Sequence, residues 1–154
     1  MEPARRSRIV RTIWAACLFA ASLNHARILV QHGLAWDYGG AGTRSAIYWT
    51  SLTVIDPFVA VLLLVRPRAG IAATLLLITT NVAHNLAITA AASRDGELLM
   101  RVASDPQVLS QIAFLLFVVA TAHVAWRGGN RVRSRKEAPA SRAAASASGD
   151  PADR

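Results

Sequence analysis

The chain's charges are segregated from its apolar residues. Of 17 Lys+Arg and 9 Asp+Glu, only Arg27 and Asp56 lie inside four long apolar runs. A soluble domain scatters charge every few residues along its solvated helix faces, so this pattern excludes one. A bilayer core of about 30 Å needs about 20 helical residues, and four stretches meet that length: residues 12–31, 45–65, 69–91 and 107–126. In lipid each backbone N–H and C=O must be paired within the protein, so such runs become helices. A β-barrel would need shorter segments of alternating polarity. The expected architecture is therefore all-α: a polytopic membrane protein built as an antiparallel bundle of four transmembrane helices. The single cysteine, Cys17, rules out a disulfide scaffold and is read as a small apolar residue buried in the first helix.

Orientation follows from the basic residues. Arg5, Arg6, Arg8 and Arg11 precede the first run, Arg66 and Arg68 separate the second from the third, and seven more follow the fourth. The alternate loops hold only Arg44, Arg94 and Arg101, accompanied by Asp37, Asp95, Glu97 and Asp105. The positive-inside rule then places both termini in the cytoplasm. It also accounts for the net charge of +8 without nucleic-acid binding. All four tryptophans, Trp14, Trp36, Trp49 and Trp126, fall near predicted boundaries, where the membrane interface favours them. Residues 1–11 read as a basic cytoplasmic segment and 127–154 as a basic, disordered cytoplasmic tail. A retained first helix is expected rather than a cleaved signal, because Leu23-Asn24-His25-Ala26 lacks a small-x-small cleavage site. The expected location is the cell membrane, multi-pass, in a bacterial inner membrane.

The polar residues inside the runs carry the functional signal, since such groups are costly in lipid and mark sites by default. Asp56 falls near the centre of the second run. Asn24, His25 and Arg27 of the first run, and Asn81, His84 and Asn85 of the third, fall in the same slab between midplane and outer leaflet. Asn81, His84 and Asn85 share a helix face by their i, i+3, i+4 spacing, and Asn24, Arg27 and Gln31 do so on the first helix. Thr53 lies one turn outward of Asp56, and Ser110 and Gln111 stand higher on the fourth run as a mouth. These seven residues (Asp56, His84, His25, Asn81, Asn85, Asn24 and Arg27) predict a polar pocket open to the outside and lined by the first three helices. Pro57, next to Asp56, should free a backbone carbonyl near the cluster. Two structural readings stand beside this one. The polar groups can act as interhelical hydrogen-bond glue, and Arg27 can form an ion pair with Asp56 or snorkel to the headgroups.

Three functions fit such a pocket. The leading one is binding or movement of a small or lipophilic ligand, cationic or amphipathic, with Asp56 as anion or proton carrier and His25 and His84 as titratable partners. Four helices are few for a transport path, which points to a homodimer. The second is acid–base catalysis by Asp and His on a lipid-soluble substrate. The third is a non-catalytic accessory or scaffold subunit. No cofactor is required. Haem ligated by His25 and His84 is an alternative, because the two imidazoles share a depth. The arrangement of His25, Asp56, the basic turn Arg66 to Arg68 and His84 is similar to that of the EXPERA-type four-helix membrane proteins, sterol isomerase among them. The acids and prolines those proteins carry in their first helices are not reproduced, so the likeness is one of arrangement only. No HExxH motif and no Cys/His spacing indicates a metal.

Overall fold

A computed structural model describes residues 2–127 of the chain. The basic tail lies beyond them, apart from Arg127. The described residues are all-helical: α1 (Pro3–His32), α2 (Thr43–Val65), α3 (Pro67–Ala91), α4 (Leu98–Ser104) and α5 (Pro106–Arg127). Four of these, α1, α2, α3 and α5, are long and apolar enough to cross a membrane. Their large apolar side chains point outward as often as inward. Leu23, Val54 and Leu76 are each 70–71% exposed, a distribution suited to lipid and not to water.

One boundary differs from the sequence expectation. Helix α1 starts at Pro3, so the basic segment before residue 12 continues the helix rather than preceding it. Proline suits this first position, because it lacks only an N–H that the first turn leaves unpaired anyway. The acidic and polar segment between α3 and the last long helix contains α4. Its sequence LLMRVAS is rich in strong helix formers, and that local propensity decides here.

The four long helices close a ring in which α1 packs on α2 and α5, and α3 on α2 and α5. Arg66 alone joins α2 to α3. The tight turn brings the two backbones together at Gly70, where a Cβ would overlap the Leu62–Leu63 backbone. Only glycine permits that approach, the small-residue contact through which membrane helices pack. Helix α1 is tied to α5 by Ser7 Oγ, which donates to the Ala125 carbonyl at 2.7 Å, and by Trp14 Nε1, which donates to Thr121 Oγ1 at 3.1 Å. Trp14 is therefore a fully buried core residue and not an interfacial anchor.

Helix α2 runs unbroken through Pro57. A proline has no N–H to give the carbonyl four residues back, so the Thr53 carbonyl loses its helical donor. Ser22 of α1 replaces it, its Oγ donating to Thr53 O at 2.9 Å. The freed carbonyl expected from the sequence is thus turned into a bond between helices.

Candidate functional site

Which face of α1 turns inward decides what can meet Asp56. The buried residues Trp14, Leu18, Ser22 and His25 recur at spacings of four, four and three, and they define that face. His25 is 4% exposed, whereas Asn24, Arg27 and Gln31 are exposed. The expectation that Asn24, Arg27 and Gln31 together face the bundle interior is thus corrected: the buried face is the one carrying His25, and of the three only Asn24 borders the cavity described next. Lipid is as apolar as a packed helix interface, so a polar stripe on a membrane helix need not be its inner one.

A cavity of about 370 Å³ lies between the helices. Its floor is formed by Asp56 of α2 and by Leu77, Ile78 and Asn81 of α3. One wall comes from α1, where Cys17, Ala20, Ala21 and Asn24 follow i, i+3, i+4, i+7 spacing, with Leu18 and His25 behind them. The other comes from α5, where Gln107, Ser110, Gln111 and Phe114 repeat the same spacing. The last helix therefore supplies a whole wall, and not only the mouth expected from Ser110 and Gln111. The repeated spacing was visible in the sequence, but Ala20, Ala21 and Phe114 carry no polar signal to draw attention to it. Cys17 is exposed on this wall, which corrects its reading as a buried apolar residue.

Asp56 is 3% exposed. Among the described residues no group hydrogen-bonds or ion-pairs with its carboxylate. Arg27 is exposed and lines neither this cavity nor the next, so the ion pair considered from the sequence does not form. The one salt bridge among the described residues joins Arg101 to Glu97 at 3.4 Å in the exposed α4 region. Five other side-chain atoms among the described residues are fully buried without a hydrogen-bond partner: His25 Nδ1, Tyr38 OH, Tyr48 OH, Thr53 Oγ1 and His84 Nε2. Buried polar atoms are normally satisfied by protein or water, and of these residues His25 lines the Asp56 cavity, where water or a ligand can supply the partner.

A second cavity, of about 270 Å³, lies nearer the 33–42 loop. Trp36, Tyr38 and Trp49 line one part of it, and Asp105 another. His25 and Gln107 border both cavities. Between them lies a polar network drawn from three helices. Trp49 Nε1 donates to Asn85 Oδ1 at 3.1 Å, and Asn85 Nδ2 donates to Asn81 Oδ1 at 3.0 Å and to Gln111 Oε1 at 2.6 Å. Asn85 therefore acts as interhelical glue, while its neighbour Asn81 both joins the network and lines the Asp56 cavity.

His84 takes a different place from His25. Its ring lies 4.6 Å from that of Tyr48 and 5.5 Å from that of Trp49, and it lines neither cavity. The two imidazoles that share a depth in the sequence do not share a cavity. His84 instead ends a file of rings running from His32 through Trp36, Tyr38 and Trp49. Tyr38, at φ 55°, is the one non-glycine residue in the left-handed region among the described residues. Its ring is in contact with Trp36 on one side and Trp49 on the other. This aromatic file carried no sequence signal, because its members come from a helix end, a loop and two other helices.

Of the seven site residues expected from the sequence, four line the Asp56 cavity: Asp56, His25, Asn24 and Asn81. Asn85 borders the second cavity, and His84 and Arg27 border neither. No known protein family matches this chain, and no characterised protein or solved structure is significantly similar to it.

Proposed function

We propose that the chain is a multi-pass membrane protein that binds a small lipophilic ligand in the Asp56 cavity. The observation that carries this reading is the Asp56 carboxylate, buried at the floor of a cavity and unpartnered among the described residues. A carboxyl group at a helix centre costs about 2.5–3.5 kcal/mol on insertion scales. Where glue alone is needed, an amide supplies it more cheaply, as Asn85 does here. The acid gains its purpose when a cationic group or a proton arrives. The surrounding Leu18, Leu77, Ile78 and Phe114 suit an apolar body attached to that cation.

In this reading the four long helices form an antiparallel bundle with both termini in the cytoplasm, placed in a bacterial inner membrane. The α1–α5 hydrogen bonds support it, because Ser7 pairs with Ala125 and the later Trp14 with the earlier Thr121. The distribution of arginines supplies the orientation. Movement of the ligand across the membrane would engage a homodimer. No cofactor and no nucleic acid enters the account. A second reading, acid–base catalysis on a lipid-soluble substrate, draws on His25 sharing the cavity with Asp56.

The test is thermal unfolding of the purified protein in nanodiscs against matched amines, alcohols and carboxylates of several chain lengths. Wild type is stabilised by at least one of these probes and Asp56→Asn is not. Equal responses of the two proteins to every probe would refute an Asp56-centred site.

A further inference from the structure

The exposure of the cavity's lining residues indicates where it opens. Cys17, Ala20 and Asn24 of α1, and Gln107 and Ser110 of α5, are exposed, whereas Asp56, Ile78 and Asn81 on α2 and α3 are buried. The opening therefore lies between α1 and α5, opposite the acid. Cys17 to Asn24 spans seven residues, and so does Gln107 to Phe114, which at 1.5 Å per residue gives an opening about 10 Å long. It runs along the helices, as a slot in the side of the bundle, and not across their ends. Exposed Phe19 and Leu23 on α1 and exposed Leu109 on α5 lie at the same levels along their helices, so the slot opens at the height of the apolar surface that suits lipid. Below it the two helices are held together by the Ser7 and Trp14 hydrogen bonds.

From this geometry we infer that the ligand is a long-chain primary amine that enters sideways from the bilayer between α1 and α5, its ammonium group seated on Asp56 and its chain lying in the slot. This inference rests on the binding function proposed for the Asp56 cavity and adds to it the ligand class and the route. An ammonium group has three N–H donors. The floor and walls offer the Asp56 carboxylate and the side-chain oxygens of Asn81 and Asn24 as acceptors. No lysine or arginine lines the cavity to repel the cation. Small side chains at Cys17, Ala20 and Ala21 leave the width that an alkyl chain needs. A water-soluble cation arriving from outside would instead need an axial opening; of the exposed lining residues only Gln107 lies at a helix end, while Cys17, Ala20, Asn24 and Ser110 lie along α1 and α5.

Cys17, the only cysteine in the chain, reports on the slot. The experiment follows its labelling in nanodiscs by a membrane-partitioning maleimide, with dodecylamine as probe and with dodecanol and butylamine as controls. Thermal shifts are recorded on the same samples. Dodecylamine slows labelling at least fivefold, dodecanol and butylamine do not, and Asp56→Asn removes the protection. Ala20→Trp, at an exposed position that leaves the core intact, weakens dodecylamine binding by narrowing the slot. An Asp56-dependent thermal shift with no change in Cys17 labelling would overturn side entry while leaving the binding site standing. If neither readout responds to any amine, the ligand class falls; if no alcohol or carboxylate gives an Asp56-dependent thermal shift either, the site falls with it. Disulfide-linked dimers through Cys17, with labelling blocked before any amine is added, would assign the slot to a second copy of the chain and overturn the inference.

Discussion

Pro57 and Ser22 provide a test of how the bundle is held together. Proline leaves the Thr53 carbonyl without its helical donor, and Ser22 Oγ supplies one from α1 at 2.9 Å. Hydrogen bonds between membrane helices are worth about 0.6 kcal/mol on average and up to about 1.7 kcal/mol. This one belongs at the upper end, because its acceptor has no helical alternative and Ser22 is only 8% exposed. Ser22→Ala should then cost about 1–1.5 kcal/mol, a shift of about five- to thirteenfold in the folding equilibrium. Pro57→Ala restores an N–H to the Thr53 carbonyl, so Ser22→Ala in that background should cost less than about 0.5 kcal/mol. The assay is reversible unfolding in mixed dodecylmaltoside–SDS micelles, followed by far-ultraviolet circular dichroism on all four members of the cycle. A coupling of about 0.5–1 kcal/mol is expected. Costs that add within about 0.3 kcal/mol would show that Ser22 does not compensate for the proline, and the reasoning would fail.

Other perturbations bear on separate contacts. Gly70→Val places side-chain atoms against the Leu62–Leu63 backbone and should destabilise the fold by about 1–3 kcal/mol, measured in the same unfolding assay; an unchanged midpoint would contradict the close α2–α3 approach. Asn85→Leu removes the acceptor of Trp49 Nε1 and the bond to Gln111, so it should lower stability by about 1–2 kcal/mol and blue-shift the Trp49 emission; to isolate that signal, Trp14, Trp36 and Trp126 are replaced by phenylalanine in both proteins. Thr121→Val leaves the indole N–H of fully buried Trp14 without its acceptor and should cost about 1 kcal/mol, while Thr12→Val, at an exposed position, should be silent in the same unfolding assay.

The helices were legible because charge marks their ends: in lipid an unpaired charge is costly wherever it falls within a span, so its absence over about 20 residues is informative. Asp56 and Pro57 were legible for the same reason, as departures from that rule. The facing of α1 was not. In water the apolar stripe of a helix identifies its buried side, but in lipid both sides are apolar, so Arg27 and Gln31 pointed to an inner face that only Asn24 of that stripe reaches, while Trp14, Leu18, Ser22 and His25 form the buried one. The α5 wall was only half visible, through Ser110 and Gln111, because Gln107 sits at the helix start and Phe114 looks like any other apolar residue. The separation of His25 from His84 depends on helix rotation, which depth along the sequence does not encode. Helix α4 was hidden by the acidic residues on either side of it.

The central claim is that Asp56 is the group that meets the ligand. Infrared difference spectroscopy tests it most directly, by comparing the protein in nanodiscs before and after dodecylamine is added, with Asp56→Asn as reference. The account predicts a carboxyl-region difference band in the wild type that disappears in Asp56→Asn, with loss of dodecylamine binding in the variant. A spectrum without such a band, together with undiminished dodecylamine binding by Asp56→Asn, would contradict it.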